Sequence, residues 1–264
     1  MSLIERAGLF AINAMARGTP LVRETLFHGE HERHAVDWYR LPDSPNAPAV
    51  IFFYGGNWRS GRRQDYRFIA DTLATFGCAS FIADYRLYPH VRFGEILEDA
   101  IGATLLALSQ LAEQQPVFLM GHSAGAQIAA LLSLDPALVE GRERITGMIG
   151  LAGPYDFYPF SEDDHFDLFG PEEHYPQSQP VNFVRPDAPP LYLLHGREDN
   201  RVRRGHSKSL MEKQQAVGGR AEREVYDDLG HVDILLEFIR PRRARSPVVR
   251  DVRAFINSLA PPSC

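Results

Sequence analysis

The chain has 264 residues, 44% of them hydrophobic and 23% charged, with a formal net charge of −6. Such a composition excludes a disordered or collagen-like chain, and the length is enough to bury a real core without staples. The acidic balance argues against a general nucleic-acid surface. The two cysteines, Cys78 and Cys264, make no disulfide framework and suit a reducing compartment.

Taken in chain order, Ile4, Ala7, Phe10, Ala11 and Ala14 recur at helical spacing and predict an amphipathic helix around residues 7–16. No net positive charge precedes this run, which argues against a secretory signal. No stretch has the length of a membrane span, so no membrane partner and a cytoplasmic location are expected. LVRETLF and HAVDWYRL, on either side of HGEHER, predict an antiparallel hairpin. His28, His31 and His34 in that turn have metal-like spacing, but a hairpin turn is expected to scatter their rings in solvent, and no metal is expected.

From AVIFFY (49–54) the pattern changes to continuous apolar runs, as in strands buried on both faces. Helix-period segments separate them: DYRFIADTLATFG, with Gly77 as a C-terminal cap, then GEILEDAIGATLLALSQLAEQ, AQIAALLSL and SKSLMEKQQAV. The intervening strands are CASFIADY, VFLM, ITGMIGLA, LYLLHG and AEREVYDDL, and VDILLEF and PVVRDVRAFINSLA close the chain as helices. This alternation predicts βαβ units around a mostly parallel sheet, in one α/β domain over residues 1–264. Residues 155–190, rich in aromatics, acids and prolines, read as a cap-like insertion: a functional lid or a set of short helices covering the sheet. Phe157, Phe160, Phe166 and Phe169 would line an acyl pocket or form the insertion's own core. Asp84 and Arg86 read as structural pairing groups, Glu98 and Asp99 as solvated or capping, and the cluster Arg240, Arg242, Arg243, Arg245 as a solvated helix end.

GHSAG (121–125) follows the buried VFLM strand and opens a helix over Ala124–Leu134. A serine at such a turn is held in a strained backbone conformation, with its hydroxyl exposed and a helix N-terminus behind it. That makes Ser123 a candidate nucleophile. In hydrolases of this layout an acid and then a histidine follow the serine. Asp199 lies just beyond the LYLLHG strand and His231 just after Gly230. They are the candidate orienting acid and general base, preferred over Glu198, Asp227 and Asp228 and over His122 and His195. His195 is expected to prop the Asp199 loop. A base must be neutral to work, so activity is expected to fall below neutral pH. The glycine pair after AVIFFY lets backbone approach a substrate, and the N–H groups of Gly56, Asn57 and Ala124 are the candidate oxyanion donors.

These residues together resemble the α/β-hydrolase superfamily, specifically small carboxylesterases akin to kynurenine formamidases. YGGNWRSG is similar to that group's His-Gly-Gly-x-Trp loop, and DYRLYPHVRFGEILEDA, GHSAG, PPLYLLHGREDNRV and LGHVDILLEF continue the match over about residues 49–240. The resemblance implies an eight-stranded, mostly parallel sheet, a cofactor-free acyl-enzyme mechanism, and short-acyl esters or formamides as small-molecule substrates. Tyr54 stands where the family has histidine. With Trp58 it is assigned to the pocket wall; bracing of the loop is the other role for Tyr54, and packing under the loop the other role for Trp58. A ligand-binding protein on the same fold is the rival from another class, and a homodimer is admitted as an assembly.

Overall fold

The computed structural model describes residues 20–42 and 44–260, so the helix expected around residues 7–16 and Cys264 lie outside the described residues. Eight strands form one sheet: β1 (Val22–Phe27), β2 (Ala35–Arg40), β3 (Ala49–Phe53), β4 (Ala79–Ala83), β5 (Val117–His122), β6 (Ile145–Leu151), β7 (Leu191–Gly196) and β8 (Ala221–Tyr226). Their spatial order is β1-β2-β4-β3-β5-β6-β7-β8. β2 pairs antiparallel with β1, as the hairpin reading expects, and also with β4, and every other pairing is parallel. Every residue of β3, β4, β5 and β7 is buried. The apolar runs reflect that position: a strand covered on both faces has no polar side to alternate with. The edge strand β1 is half exposed.

The helices are α1 (Arg67–Ala74), α2 (Phe93–Ser109), α3 (Ala124–Leu134), α4 (Asp163–Leu168), α5 (Gly205–Ala216), α6 (Asp233–Leu236), α7 (Arg240–Arg243) and α8 (Pro247–Leu259). Helix α2 packs over β1, β2 and β4, α3 over β3, β5 and β6, and α5 over β7 and β8. Gly77 ends α1 at φ 77°, where a side chain would be strained. Ser246 caps α8, its hydroxyl accepting from the Val249 N–H at 3.1 Å. Residues 155–190 form α4 and two short 3₁₀ helices, 172–178 and 180–183. Among the described residues no helix is long and apolar enough to cross a membrane.

Two expectations are corrected. Asp99 is buried, not solvated: it accepts from the Arg86 guanidinium at 2.7 Å and lies 3.0 Å from His34. The α2 face that carries it packs beneath the hairpin, and that burial also gathers the hairpin histidines. The His28 and His34 rings stack with centroids 5.0 Å apart, and His31 lies 5.4 Å from His34, so the rings are not scattered. Stacking brings ring faces together rather than converging nitrogen lone pairs on one point.

A chain of buried charges ties the antiparallel edge to the parallel sheet. Arg63 donates to Asp37 at 3.1 Å and to Asp84 at 3.0 Å, while Arg23 and Thr25 complete Asp37 and Arg33 completes Asp84. Both carboxylates are almost fully buried, so each depends on its cationic partners. Arg63→Met is therefore expected to cost about 3–5 kcal/mol, because two buried charges lose their shared partner. Urea unfolding at pH 7 measures this, and a loss below about 1 kcal/mol would remove Arg63 from that role.

Candidate active site

Parallel strands bring the loops after β3, β5, β7 and β8 to one edge of the sheet, where ligands bind in open α/β folds. At the end of β5, Ser123 adopts φ 54° and ψ −123°, a strained combination for a residue with a side chain. Its N–H donates to the Leu151 carbonyl at 2.9 Å, and its own carbonyl accepts from Ala126 and Gln127. Glycines make the turn possible. A Cβ on Gly121 would collide with the Gly125 carbonyl, and one on Gly125 with the carbonyls of Phe53 and Tyr54. The turn thus presses directly on the end of β3.

The loops after β7 and β8 meet each other through backbone. The Arg197 N–H donates to Tyr226 at 2.7 Å and the Glu198 N–H to Leu229 at 3.0 Å. Gly196 permits this approach, since a Cβ there would strike the Leu229 carbonyl. The result sets His231 Nδ1 2.8 Å from Asp199 Oδ2 and His231 Nε2 2.9 Å from Ser123 Oγ. With Nδ1 donating to the carboxylate, Nε2 is left to accept from the serine hydroxyl. The three residues expected from the sequence are brought together. Glu198, Asp227 and Asp228 point to solvent, Asp227 pairing with Arg197.

Asp199 is held from all sides. Its Oδ1 accepts the N–H groups of Arg201 and Val202, both at 2.9 Å, and His195 Nε2 lies 3.1 Å from Oδ2. Burial alone would raise the Asp199 pKa, but the bonds from His195, His231 and Val202 outweigh it and hold the carboxyl well below its usual range. His195 also donates to the Val202 carbonyl at 3.0 Å, so it props the loop and contacts Asp199 as well. On the other side of His231, buried His122 donates from Nε2 to the His231 carbonyl at 2.9 Å. Burial, with a smaller repulsion from His231, pushes the His122 pKa down to about 3.

The oxyanion-loop candidates stand beside the serine. A Cβ on Gly55 would lie 2.9 Å from the Ser123 Cβ, and Gly56 takes φ 131°, Asn57 φ 53° and Trp58 φ 55°. Among the described residues the N–H groups of Gly56, Asn57 and Ala124 donate to no acceptor. The Asn57 side chain is clasped by residues 155–190, donating to Glu162 at 3.0 Å and accepting from His165 at 3.1 Å. Sequence reasoning passed over both of these residues, and neither stands in a motif that marks it.

Ser123 and His231 open onto a cleft of about 940 Å³, whose walls include Trp58, Phe157, Glu162, Arg201 and Leu235. Trp58 stands at the wall almost wholly buried, packed edge-on against His165 and Phe169, with its indole N–H donating to Gln127 at 3.2 Å. Phe157 joins the wall and packs on buried Phe160 and Phe169, which cluster with Tyr175 and the exposed Phe166. Tyr54 is a correction. It is wholly buried between the rings of Tyr66 and Tyr85, its hydroxyl donating to Asp84 and accepting from Arg33. Burial, then the Asp84 charge, raises its pKa well above the usual value, so it stays protonated. Its ring extends β3 away from the cleft, so it braces the loop from behind.

The family model for BD-FAE matches residues 37–214. The chain belongs to the BD-FAE family. An isoprenylcysteine alpha-carbonyl methylesterase of Arabidopsis thaliana is 27% identical over 82% of this chain and 58% of its own length. Esterase LipC of Mycobacterium tuberculosis is 27% identical over 74% of this chain and 55% of its own. A kynurenine formamidase of Danio rerio is 30% identical over 56% of this chain and 53% of its own. The chain thus spans little more than half the length of these relatives. Among solved structures, a carbohydrate esterase from gut microbiota gives a TM-score of 0.76 at 19% identity, over 91% of this chain and 96% of that one. Esterase 2 of Thermogutta terrifontis gives 0.76 at 20%, over 92% and 96%. These likenesses establish an α/β-hydrolase fold.

The depressed pKa of His122 gives the BD-FAE fold here an acid-sensitive point. Between pH 6.5 and about 3 the unfolded chain binds a proton at His122 that the folded chain refuses, so stability falls as pH falls through that window. His122→Asn is expected to flatten the slope of unfolding free energy between pH 4 and 6 by about 1.4 kcal/mol per pH unit. Urea titrations of both proteins across that range measure it, and parallel slopes would contradict the assignment.

Proposed function

We propose that the protein is a serine hydrolase that cleaves short-chain carboxylic esters through an acyl-enzyme intermediate. The observation that carries this reading is the continuous chain from Asp199 through His231 to the Ser123 hydroxyl at the floor of the cleft. Its relatives carry esterase and methylesterase names.

In this mechanism Ser123 Oγ attacks the substrate carbonyl as His231 Nε2 takes its proton. Asp199, ionised and fully hydrogen-bonded, fixes the imidazole tautomer and stabilises the imidazolium that forms. The unpaired N–H groups of Gly56, Asn57 and Ala124 receive the developing oxyanion; one such donor is worth about 3 kcal/mol of barrier. His231 then protonates the leaving alcohol, and water repeats the cycle on the acyl-serine. Nucleophile, base and oxyanion donors all come from the chain itself, so the cycle is written without a cofactor.

A second reading, hydrolysis of an aryl formamide, is favoured by the kynurenine formamidase relative and by the aromatic wall of Trp58 and Phe157. The chemistry differs only in the leaving group, an amine that needs the His231 proton more than an alcohol does.

Turnover of para-nitrophenyl butyrate and of an N-formyl arylamine at pH 8 distinguishes the two readings by their kcat/KM ratio. Ser123→Ala is expected to lower kcat for either substrate on the order of 10⁴-fold or more. Equal turnover by wild type and variant would rule out Ser123 as the nucleophile. Binding of a substrate without turnover by the wild type would favour a ligand-binding role.

A further inference from the structure

Behind the Asp199 loop lies a second cavity, of about 490 Å³, lined by Arg197, Arg203, Arg204, Lys208 and Arg223, with Asp199 and Gly205 completing it. It takes no part in the acyl-transfer chemistry. Five cationic side chains around one hollow repel one another unless carboxylates intervene. Two of them are compensated, Arg197 by Asp227 and Lys208 by Glu212. Among the described residues Arg203, Arg204 and Arg223 make no ion pair. Asp199 does not supply the missing charge, because its side chain is wholly buried and committed to His231, His195 and two backbone N–H groups.

Arg223 is the built part of this cavity. It stands on β8, half-buried, and its Nε donates to the Ser207 hydroxyl at 2.9 Å while Nη2 donates to the Arg204 carbonyl at 3.2 Å. The guanidinium is therefore oriented before any ligand arrives, with Nη1 left over. Burial, and then repulsion from Arg204, lowers its pKa against the opposing pull of the Glu212 carboxylate. Ser207 and Arg204 also mark the N-terminus of α5, a 12-residue helix whose first turn has no side-chain cap. Its N–H groups and dipole add to the positive field of the cavity.

We propose that this cavity is a binding site for a phosphate-type oxyanion, held by Arg223, Arg204 and Arg203 at the start of α5. A tetrahedral oxyanion matches the need. It offers several acceptors to planar guanidinium forks and carries the charge that the three unpaired arginines lack. A free phosphate and a phosphate group on a larger molecule present this same chemistry. The site does not depend on the esterase reading, and its test needs no turnover.

Thermal unfolding of the full chain is followed against sodium phosphate, with sodium chloride holding ionic strength constant. The wild type is expected to show a saturable rise in Tm at millimolar phosphate. Arg223→Gln, and separately the double variant Arg203→Gln/Arg204→Gln, should need at least about tenfold more phosphate for half of that rise, since each removes charge-assisted hydrogen bonds. The double variant alters exposed side chains only and is expected to keep its Tm in chloride. Arg245→Gln, an exposed arginine outside the cavity, should behave as wild type. Absence of a saturable rise, or equal half-saturation in wild type and double variant, overturns the proposal. Titration with glycerol 3-phosphate separates the two sources: tighter half-saturation than inorganic phosphate, lost in the double variant, assigns the site to a phosphomonoester, and equal half-saturation assigns it to the free ion.

Discussion

Three backbone segments meet around Ser123 with no room for a side chain between them. Gly125 rests on the carbonyls of Phe53 and Tyr54, Gly121 on Gly125, and Gly55 on the serine Cβ. This contact holds the left-handed turn at Ser123 and fixes the distance between the end of β5 and the loop after β3. A strained residue persists only where its surroundings over-determine it. Here the hydrogen bonds of Ser123 to Leu151, Ala126 and Gln127 do so, and the cleft is built outward from that point.

The loop after β3 is supported twice, by different physics. From behind, Tyr54 is stacked between two tyrosine rings and bonded into the Asp84–Arg63–Asp37 charge chain, so the loop's base is tied to the hairpin edge of the sheet. From the front, Asn57 is clasped by Glu162 and His165, and Arg59 pairs with Asp164. Segment 155–190 forms short helices with an aromatic cluster, and Phe157, Glu162 and His165 from it line the cleft. In the rear support Asp37 and Asp84 are buried and partnered, so removing a partner would leave a charge in a low dielectric, whereas Glu162 and Asp164 at the front are exposed to solvent.

On the opposite side of the cleft, the Asp199 loop separates two environments of unlike chemistry. One face presents a saturated carboxylate to His231, and the other presents arginines that no carboxylate balances. Asp199 stays ionised beside this field because the hydrogen bonds from His195, His231 and the Val202 N–H outweigh the cost of its burial.

The sequence by itself determined what depends on local pattern. Continuous apolar runs, short and rich in β-branched and aromatic residues, identified the buried strands, since a strand covered on both faces has no polar side. Helical spacing identified α1, α2, α3, α5 and α8, and Gly77 was readable as a cap because few other residues accept its φ. The glycines around Ser123 and the chain order of serine, acid and histidine were enough to pick the three side chains that the structure brings together. What only the tertiary structure decided depends on groups distant in the chain. Tyr54 turned away from the cleft because Asp84 and two tyrosine rings waited behind it. Asp99 was buried because the hairpin lay over α2. His165, Glu162 and the unpaired arginines at the start of α5 fell in no motif. Their neighbours come from other elements, and burial and charge balance are properties of packing, which spacing along a chain does not encode.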